Sequence, residues 1–386
     1  MVIGAPFGIA RLPLSFLFKD HYGISAAGIA LVSALISIPF YLKPVVGFLS
    51  DTKIFPGSMR QQLVVGSFIT TVLWLLTGAA AYRSLYLLLF ILPLLTTSVV
   101  VVNTTLGGLL VIRGQAEGAN GRLAAVRAIS QGAGEALSGS IGGFLASRAF
   151  GWTGVGGAIC FLAVATIVLL TLAHEDPAPR NPAPHLWKQF QEIRQSRTLW
   201  MITGILFLVL IAPGFHTALI FYQTDVLHFS KQLIGNLTFI NGLSGLVGAC
   251  IYAILCRKLE IRYLLYSGIT IYMLSTLSYL FYHSEIQALL IEAAGGFGIA
   301  MAGLPVLDLA SRSCPIGLEA TGYGLVLSMT NITLSLSDIL GAHLYSNYHF
   351  AFSTLVLLNP LTTLLAIPFI LRLPLSLTRQ HDTISG

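Results

Sequence analysis

Apolar residues run along the chain in long blocks separated by short polar connections. The blocks fall near residues 2–18, 25–49, 62–82, 86–111, 122–147, 152–173, 199–221, 233–255, 262–282, 286–306, 316–345 and 351–372. A membrane-crossing helix needs roughly 20 mostly apolar residues, and most blocks meet that length. In lipid the backbone must satisfy its own hydrogen bonds, which favours helices for such blocks. The pattern predicts an all-α polytopic membrane protein with about twelve transmembrane helices. The first block starts at Met1 without a basic lead or a small-residue cleavage site, so it reads as a span and not as a signal peptide.

The polar connections divide the blocks evenly. The longest, 174–198, lies between the sixth and seventh. It carries Pro177, Pro179, Pro182 and Pro184, then Leu186, Phe190 and Ile193 at helical spacing beside Trp187, Lys188 and Arg194. Proline favours an extended linker, and the second part reads as a short amphipathic helix on the membrane surface. The expected organisation is a six-helix bundle over 1–173, a cytoplasmic linker over 174–198, and a second six-helix bundle with a short tail over 199–386.

Composition removes most other classes. Of 386 residues, 55% are hydrophobic and only 9% charged, against about a quarter charged in a soluble domain. Too few charges remain to cover a soluble surface, which excludes a cytosolic enzyme or a nucleic-acid-binding domain. Fifteen basic residues, among them Lys43, Lys53, Arg60, Arg113, Arg257, Lys258 and Arg379, fall on one set of connections. Lys19, Arg83, Arg148 and Lys231 fall on the other. The positive-inside bias places the first set, and both termini, in the cytoplasm. The short loops suit a bacterial inner membrane.

The two halves echo each other. Block one ends in Phe16-Leu-Phe-Lys-Asp20-His-Tyr-Gly-Ile-Ser25, and block seven in Phe221-Tyr-Gln-Thr-Asp225-Val-Leu-His-Phe-Ser230. Phe, Asp and Ser recur at identical spacing, as a parallel repeat of two six-helix halves predicts.

After block two comes Gly47-Phe-Leu-Ser-Asp51, followed by Lys53 and Arg60. Gly47 permits close helix approach. Asp51 can accept from a helix N-terminus or pair with a loop arginine, so the group reads either as a conformational latch that would break when the cytoplasmic side opens or as a topology-setting loop. This GxLxD turn and the 6 + 6 layout resemble the major facilitator superfamily. Longer stretches narrow the resemblance: Lys43-Pro-Val-Val-Gly-Phe-Leu-Ser-Asp51 near one end, and Cys314-Pro-Ile-Gly-Leu-Glu-Ala-Thr321 leading to Ser328-Met-Thr-Asn331 near the other. They resemble the folate–biopterin transporter family, a branch of that superfamily. The resemblance implies a symporter that takes up pterin or folate by alternating access, with protons as driving ion. The family carries acidic residues in span four, where this chain reads Val100-Val-Val-Asn103-Thr-Thr105, with Asn103 at one acidic position.

Charges inside spans mark candidate chemistry, because lipid tolerates them only against a cavity or a partner. Arg11 lies in span one, Arg127 and Glu135 in span five, and Asp338 in span eleven with Asn331 two turns earlier. A carboxylate can grip the 2-amino-pyrimidinone edge of a pterin through two hydrogen bonds, and arginine can hold the carboxylates of a folate tail bidentately. Glu135 or Asp338 would supply the first, Arg11 or Arg127 the second. Asp308 and Arg312, at i and i+4, also fit a helix-end ion pair. Pro39, Pro44, Pro93 and Pro213-Gly214 mark expected bends.

No cofactor, metal set or enzyme signature is visible. There is no GxSxG, HExxH or P-loop, and the four cysteines are scattered among apolar runs as small buried residues. Two alternatives to pterin or folate transport stay open: a facilitator-type transporter of another small organic solute, and a non-transporting assembly or delivery factor on the same fold.

Overall fold

The computed structural model describes residues 5–43, 45, 58–116, 133–134, 138–171, 197–256, 258–312 and 319–365. The described chain is almost entirely helical. In order it runs through α1 (Ala5–Phe16), α2 (Ala26–Ile36), α3 (Ile38–Tyr41), α4 (Met59–Ala80), α5 (Leu85–Ala116), α6 (Gly151–Thr171), α7 (Arg197–Leu210), α8 (His216–Phe221), α9 (Lys231–Leu255), α10 (Ile261–Leu277), α11 (Glu285–Arg312), α12 (Glu319–Asn347) and α13 (Phe352–Leu364). A further helical stretch covers 138–146.

Among the described residues, seven helices are long and apolar enough to cross a membrane. They span Arg60–Ala80, Leu85–Leu106, Gly151–Thr171, Lys231–Leu255, Ile261–Phe281, Glu285–Val306 and Leu325–Asn347. Their bounds fall mostly within a few residues of the apolar blocks. Large side chains such as Phe68, Phe90, Leu170, Leu274 and Ile286 stand exposed along them, which suits an apolar solvent and not water. The linker 174–198 lies outside the described residues up to Arg197, as do Arg127, Glu135, Gly47, Asp51 and Lys53.

The chain divides into two compact units. The first comprises Met1–Ser25, Leu31–Pro184 and Lys231–Phe239. In it α4 and α6 cross closely: a Cβ on Gly154 would come within 2.8 Å of both the Gly78 Cα and the Trp74 carbonyl oxygen. Small residues at such crossings let helix backbones approach and gain dispersion contact. The second unit comprises Ala26–Ala30, His185–Ser230 and Ile240–Gly386.

The seventh block is not one continuous helix. It breaks over 211–215, at Pro213-Gly214, and restarts as α8. Proline supplies no N–H and frees a carbonyl, and α12 provides the missing partners. Gly214 N donates to Ser337 O (2.9 Å), the Ser337 hydroxyl donates to Ala212 O, and Gly341 is seated against the Gly214 main chain.

The sequence repeat is also a structural repeat. Helix one passes into a π-helical segment at Leu17–His21, and helix seven does so at Tyr222–Val226, 205 residues later. Both close the same way. Tyr22 N donates to Leu17 O and Ile24 N to Phe18 O; Leu227 N donates to Tyr222 O and Phe229 N to Gln223 O. Gly23 (φ 63°) and His228 (φ 55°) occupy the left-handed stop position.

Candidate functional site

A buried polar cluster is centred on Glu292 in α11, within the second unit. Glu292 is 6% exposed although it lies inside an apolar span. Asn241 Nδ2, from α9, donates to Glu292 Oε2 at 2.8 Å. Tyr279 and Tyr282 donate their hydroxyls to Oε2 and Oε1, each at 3.2 Å. Gln223 Nε2, from the π-helical end of helix seven, donates to the Tyr282 hydroxyl at 2.6 Å. Three other helical segments, the end of the seventh block, α9 and the end of α10, thus reach one carboxylate on α11, directly or through one hydroxyl.

Local sequence makes the room. Glu292 is followed by Ala-Ala-Gly295-Gly296. A Cβ on Gly295 would stand 2.7 Å from the Tyr279 hydroxyl, and one on Gly296 would overlap the Asn241 carbonyl oxygen. The two glycines therefore let Tyr279 and Asn241 close on the acid from either side. The tyrosines come from a 3-10 segment, Ser278–Phe281, and the residue after it. That tighter winding ends α10 and stacks the two rings nearly parallel, 5.5 Å apart. Phe215 packs on Tyr279 and Phe352, and Tyr222 stacks on Phe352 at 4.5 Å. Aromatic faces thus enclose the cluster, while its donors offset the loss of water from the acid.

A second polar junction lies at the helix-seven break. Asp338 of α12 accepts from Thr217 N at 3.0 Å and from the Thr217 hydroxyl at 2.6 Å. It caps the restarted α8, as an acid at a helix N-terminus does.

The other residues singled out by sequence are distributed as follows. Arg11 is exposed on α1, and Asn103 is half-buried on α5, both in the first unit. Asn331 is half-buried on α12, seven residues before Asp338. In the first unit Arg60, at the start of α4, donates from Nη2 to Leu169 O at the end of α6 (3.1 Å), a cation on helix C-terminal carbonyls. Arg127 and Glu135, and Gly47, Asp51 and Lys53 of the latch, lie outside the described residues. Glu292 is not among the residues that the sequence singles out. The signal that finds it is an acid inside a span, two alanines before a glycine pair. Among the described residues no group of His, Cys, Asp and Glu could hold a metal ion.

A family model for the Major Facilitator Superfamily matches residues 2–342. The chain belongs to that superfamily. Within it the chain resembles the folate–biopterin branch: it is 26% identical to the folate-biopterin transporter of Synechocystis, over 95% of this chain and 78% of that protein. It is 24% identical to folate transporter 1 of Plasmodium falciparum, over 86% of this chain and 69% of that one. Among solved structures it resembles a point mutant of the nucleoside transporter NupG (TM-score 0.76, 13% identity, 96% of each chain). It also resembles a D-xylose-proton symporter (TM-score 0.73, 14% identity, 98% of this chain and 96% of that one). These likenesses establish a facilitator-type, all-α polytopic membrane fold built for transport and not for enzymatic chemistry.

Proposed function

We propose that this protein is a secondary transporter moving a pterin- or folate-like solute by alternating access. The observation that carries the reading is the resemblance to folate–biopterin transporters over 95% of the chain. The working parts are two six-helix halves, 1–173 and 199–386, joined by the cytoplasmic linker 174–198. The protein sits in a bacterial inner membrane with both termini in the cytoplasm. Protons drive uptake.

The candidate contacts keep their chemical assignments. Arg11 and Arg127 suit the anionic tail of a folate. Glu135 and Asp338 suit the amino-pyrimidinone edge, although Asp338 is already engaged by Thr217. Asn103 and Asn331 offer neutral donors and acceptors. Gly47, Asp51, Lys53 and Arg60 act as the cytoplasmic latch.

The test is uptake of radiolabelled folate and biopterin into vesicles containing purified protein, with and without an inward proton gradient. Saturable uptake of either compound, absent from protein-free vesicles, is the expected result. No uptake by folded protein would overturn the substrate class and turn the search to other organic solutes or to a helper role.

A further inference from the structure

Glu292 lies seven residues, about 10 Å, into α11 from its start at Glu285. With 6% exposure, it leaves no face on which a solute of pterin size could lie. Its direct donors are two tyrosines and an asparagine, all neutral. α7 and α12 also pack against α11. Among the described residues, no Lys, Arg, His or second acid on these elements is paired with Glu292. A cation beside the acid would lock it in its charged form. Neutral hydroxyls and an amide hold the group in place in either form, which is what a reversible proton carrier inside a membrane requires.

We propose that Glu292 is the proton-carrying residue of this transporter, a role that rests on the transport reading above. An oxygen of its carboxylate forms an O–H bond with a proton from water at the α10–α11 end of the helices. The same bond breaks when the proton passes to water on the other side. Between those events the solute crosses.

The hydrogen-bond pattern links this event to helix seven. In the charged form the carboxylate only accepts, and Tyr279, Tyr282 and Asn241 all donate to it. Once protonated, Glu292 carries a donor of its own. If that donor goes to Tyr282, the Tyr282 hydroxyl hydrogen must find another acceptor. The group on its other side is Gln223, which at present donates to it. The Gln223 amide must then turn over and offer its carbonyl, or leave. Gln223 belongs to the π-helical end of helix seven, so gain of a proton changes the bonds that hold that end.

The experiment uses wild-type and variant protein in vesicles, with whichever of radiolabelled folate or biopterin the wild type moves. Two quantities are read: accumulation under an inward proton gradient, and exchange of internal for external solute without a gradient. Glu292→Gln is expected to keep exchange within about twofold of wild type and to lose gradient-driven accumulation at least tenfold. Glu292→Asp is expected to restore part of the accumulation. Accumulation by Glu292→Gln at the wild-type level overturns the proposal. Loss of exchange together with accumulation in folded protein also overturns it, making Glu292 a solute contact. Wild-type uptake that ignores the proton gradient overturns it, and the proton drive with it, while leaving solute transport itself standing. A wild type that neither accumulates nor exchanges fails the transport reading itself. If Glu292→Gln does not fold, Glu292→Asp is compared with wild type: slower accumulation with exchange retained supports the role, and unchanged accumulation overturns it.

Discussion

At the scale of single residues, the glycines beside the acid decide whether the Glu292 cluster forms. A methyl group on Gly296 would overlap the Asn241 carbonyl and crowd the Ser244 hydroxyl. Helices α9 and α11 would have to part, and overpacking of this kind costs roughly 1–3 kcal/mol. Gly296→Ala should therefore lower the thermal midpoint of the purified protein and weaken transport. Gly303→Ala, on the same helix with nothing within 4 Å of the new methyl, should leave the midpoint unchanged or slightly raised, since alanine favours helix. Equal midpoints for the two variants would contradict the close approach. Sequence made Asp338, at the second polar junction, visible and hid the Glu292 cluster. Asp338 stands out because it lies in the middle of an apolar block. Glu292 lies seven residues after Glu285 and reads as one of the polar residues at a helix start. Its burial depends on Asn241 and Gln223, 51 and 69 residues away, and on two tyrosines presented by a 3-10 turn that no hydrophobic pattern announces.

At the scale of elements, helices one and seven share a way of ending, and the two copies differ in one informative place. Both use a π-helical turn and a left-handed stop, but one stop is Gly23 and the other His228. A side chain in that backbone region costs about 1 kcal/mol or somewhat more. Gly23→Ala should destabilise by about that amount, with no help from sterics, since nothing lies within 4 Å of the added Cβ. His228→Gly should change stability in the opposite direction or leave it unaltered. Thermal midpoints of the two variants read the difference, and a shift of the same sign and size in both would refute the equivalence. The repeat of Phe16, Asp20 and Ser25 with Phe221, Asp225 and Ser230 was legible as spacing, but its π-helical form was not, because a π turn arises from backbone bonding and not from apolar period. The break in helix seven was legible from Pro213-Gly214. What heals it was not, because Ser337, Asp338 and Gly341 lie more than a hundred residues away. Asp338→Ala leaves Thr217 N and its hydroxyl without their acceptor and should cost about 1–3 kcal/mol. Asp338→Asn keeps an acceptor and should cost less. If Asp338→Asn stays as stable as wild type yet abolishes uptake, the charge serves transport as well as the cap.

At the scale of the whole molecule, the charge pattern and the hydrogen bonds agree on which connections share a membrane face. In the first unit, Asp20 after helix one pairs with Lys231 at the start of α9, at 2.5 Å. His21 packs edge-on against Tyr82, in the connection between α4 and α5. The Tyr82 hydroxyl in turn accepts from Phe150 N, just before α6. These helix ends meet, and they carry Lys19, Arg83, Arg148 and Lys231, the four basic residues that sequence assigned to the outer side. At the other end of the same helices Arg60 reaches Leu169, and Arg60 belongs to the set assigned to the cytoplasm. In the second unit the same logic joins the end of helix seven to the α10–α11 connection through the Tyr222 hydroxyl and Tyr282 O. The positive-inside bias predicts which of these two ends faces the cytoplasm. Single cysteines placed at Arg83 or Arg148, in protein whose native cysteines are replaced by serine, should react with a membrane-impermeant thiol reagent added to intact cells. A cysteine at Lys258 should react only after the membrane is opened. The reverse pattern would invert the topology, and with it the side from which Glu292 would receive its proton.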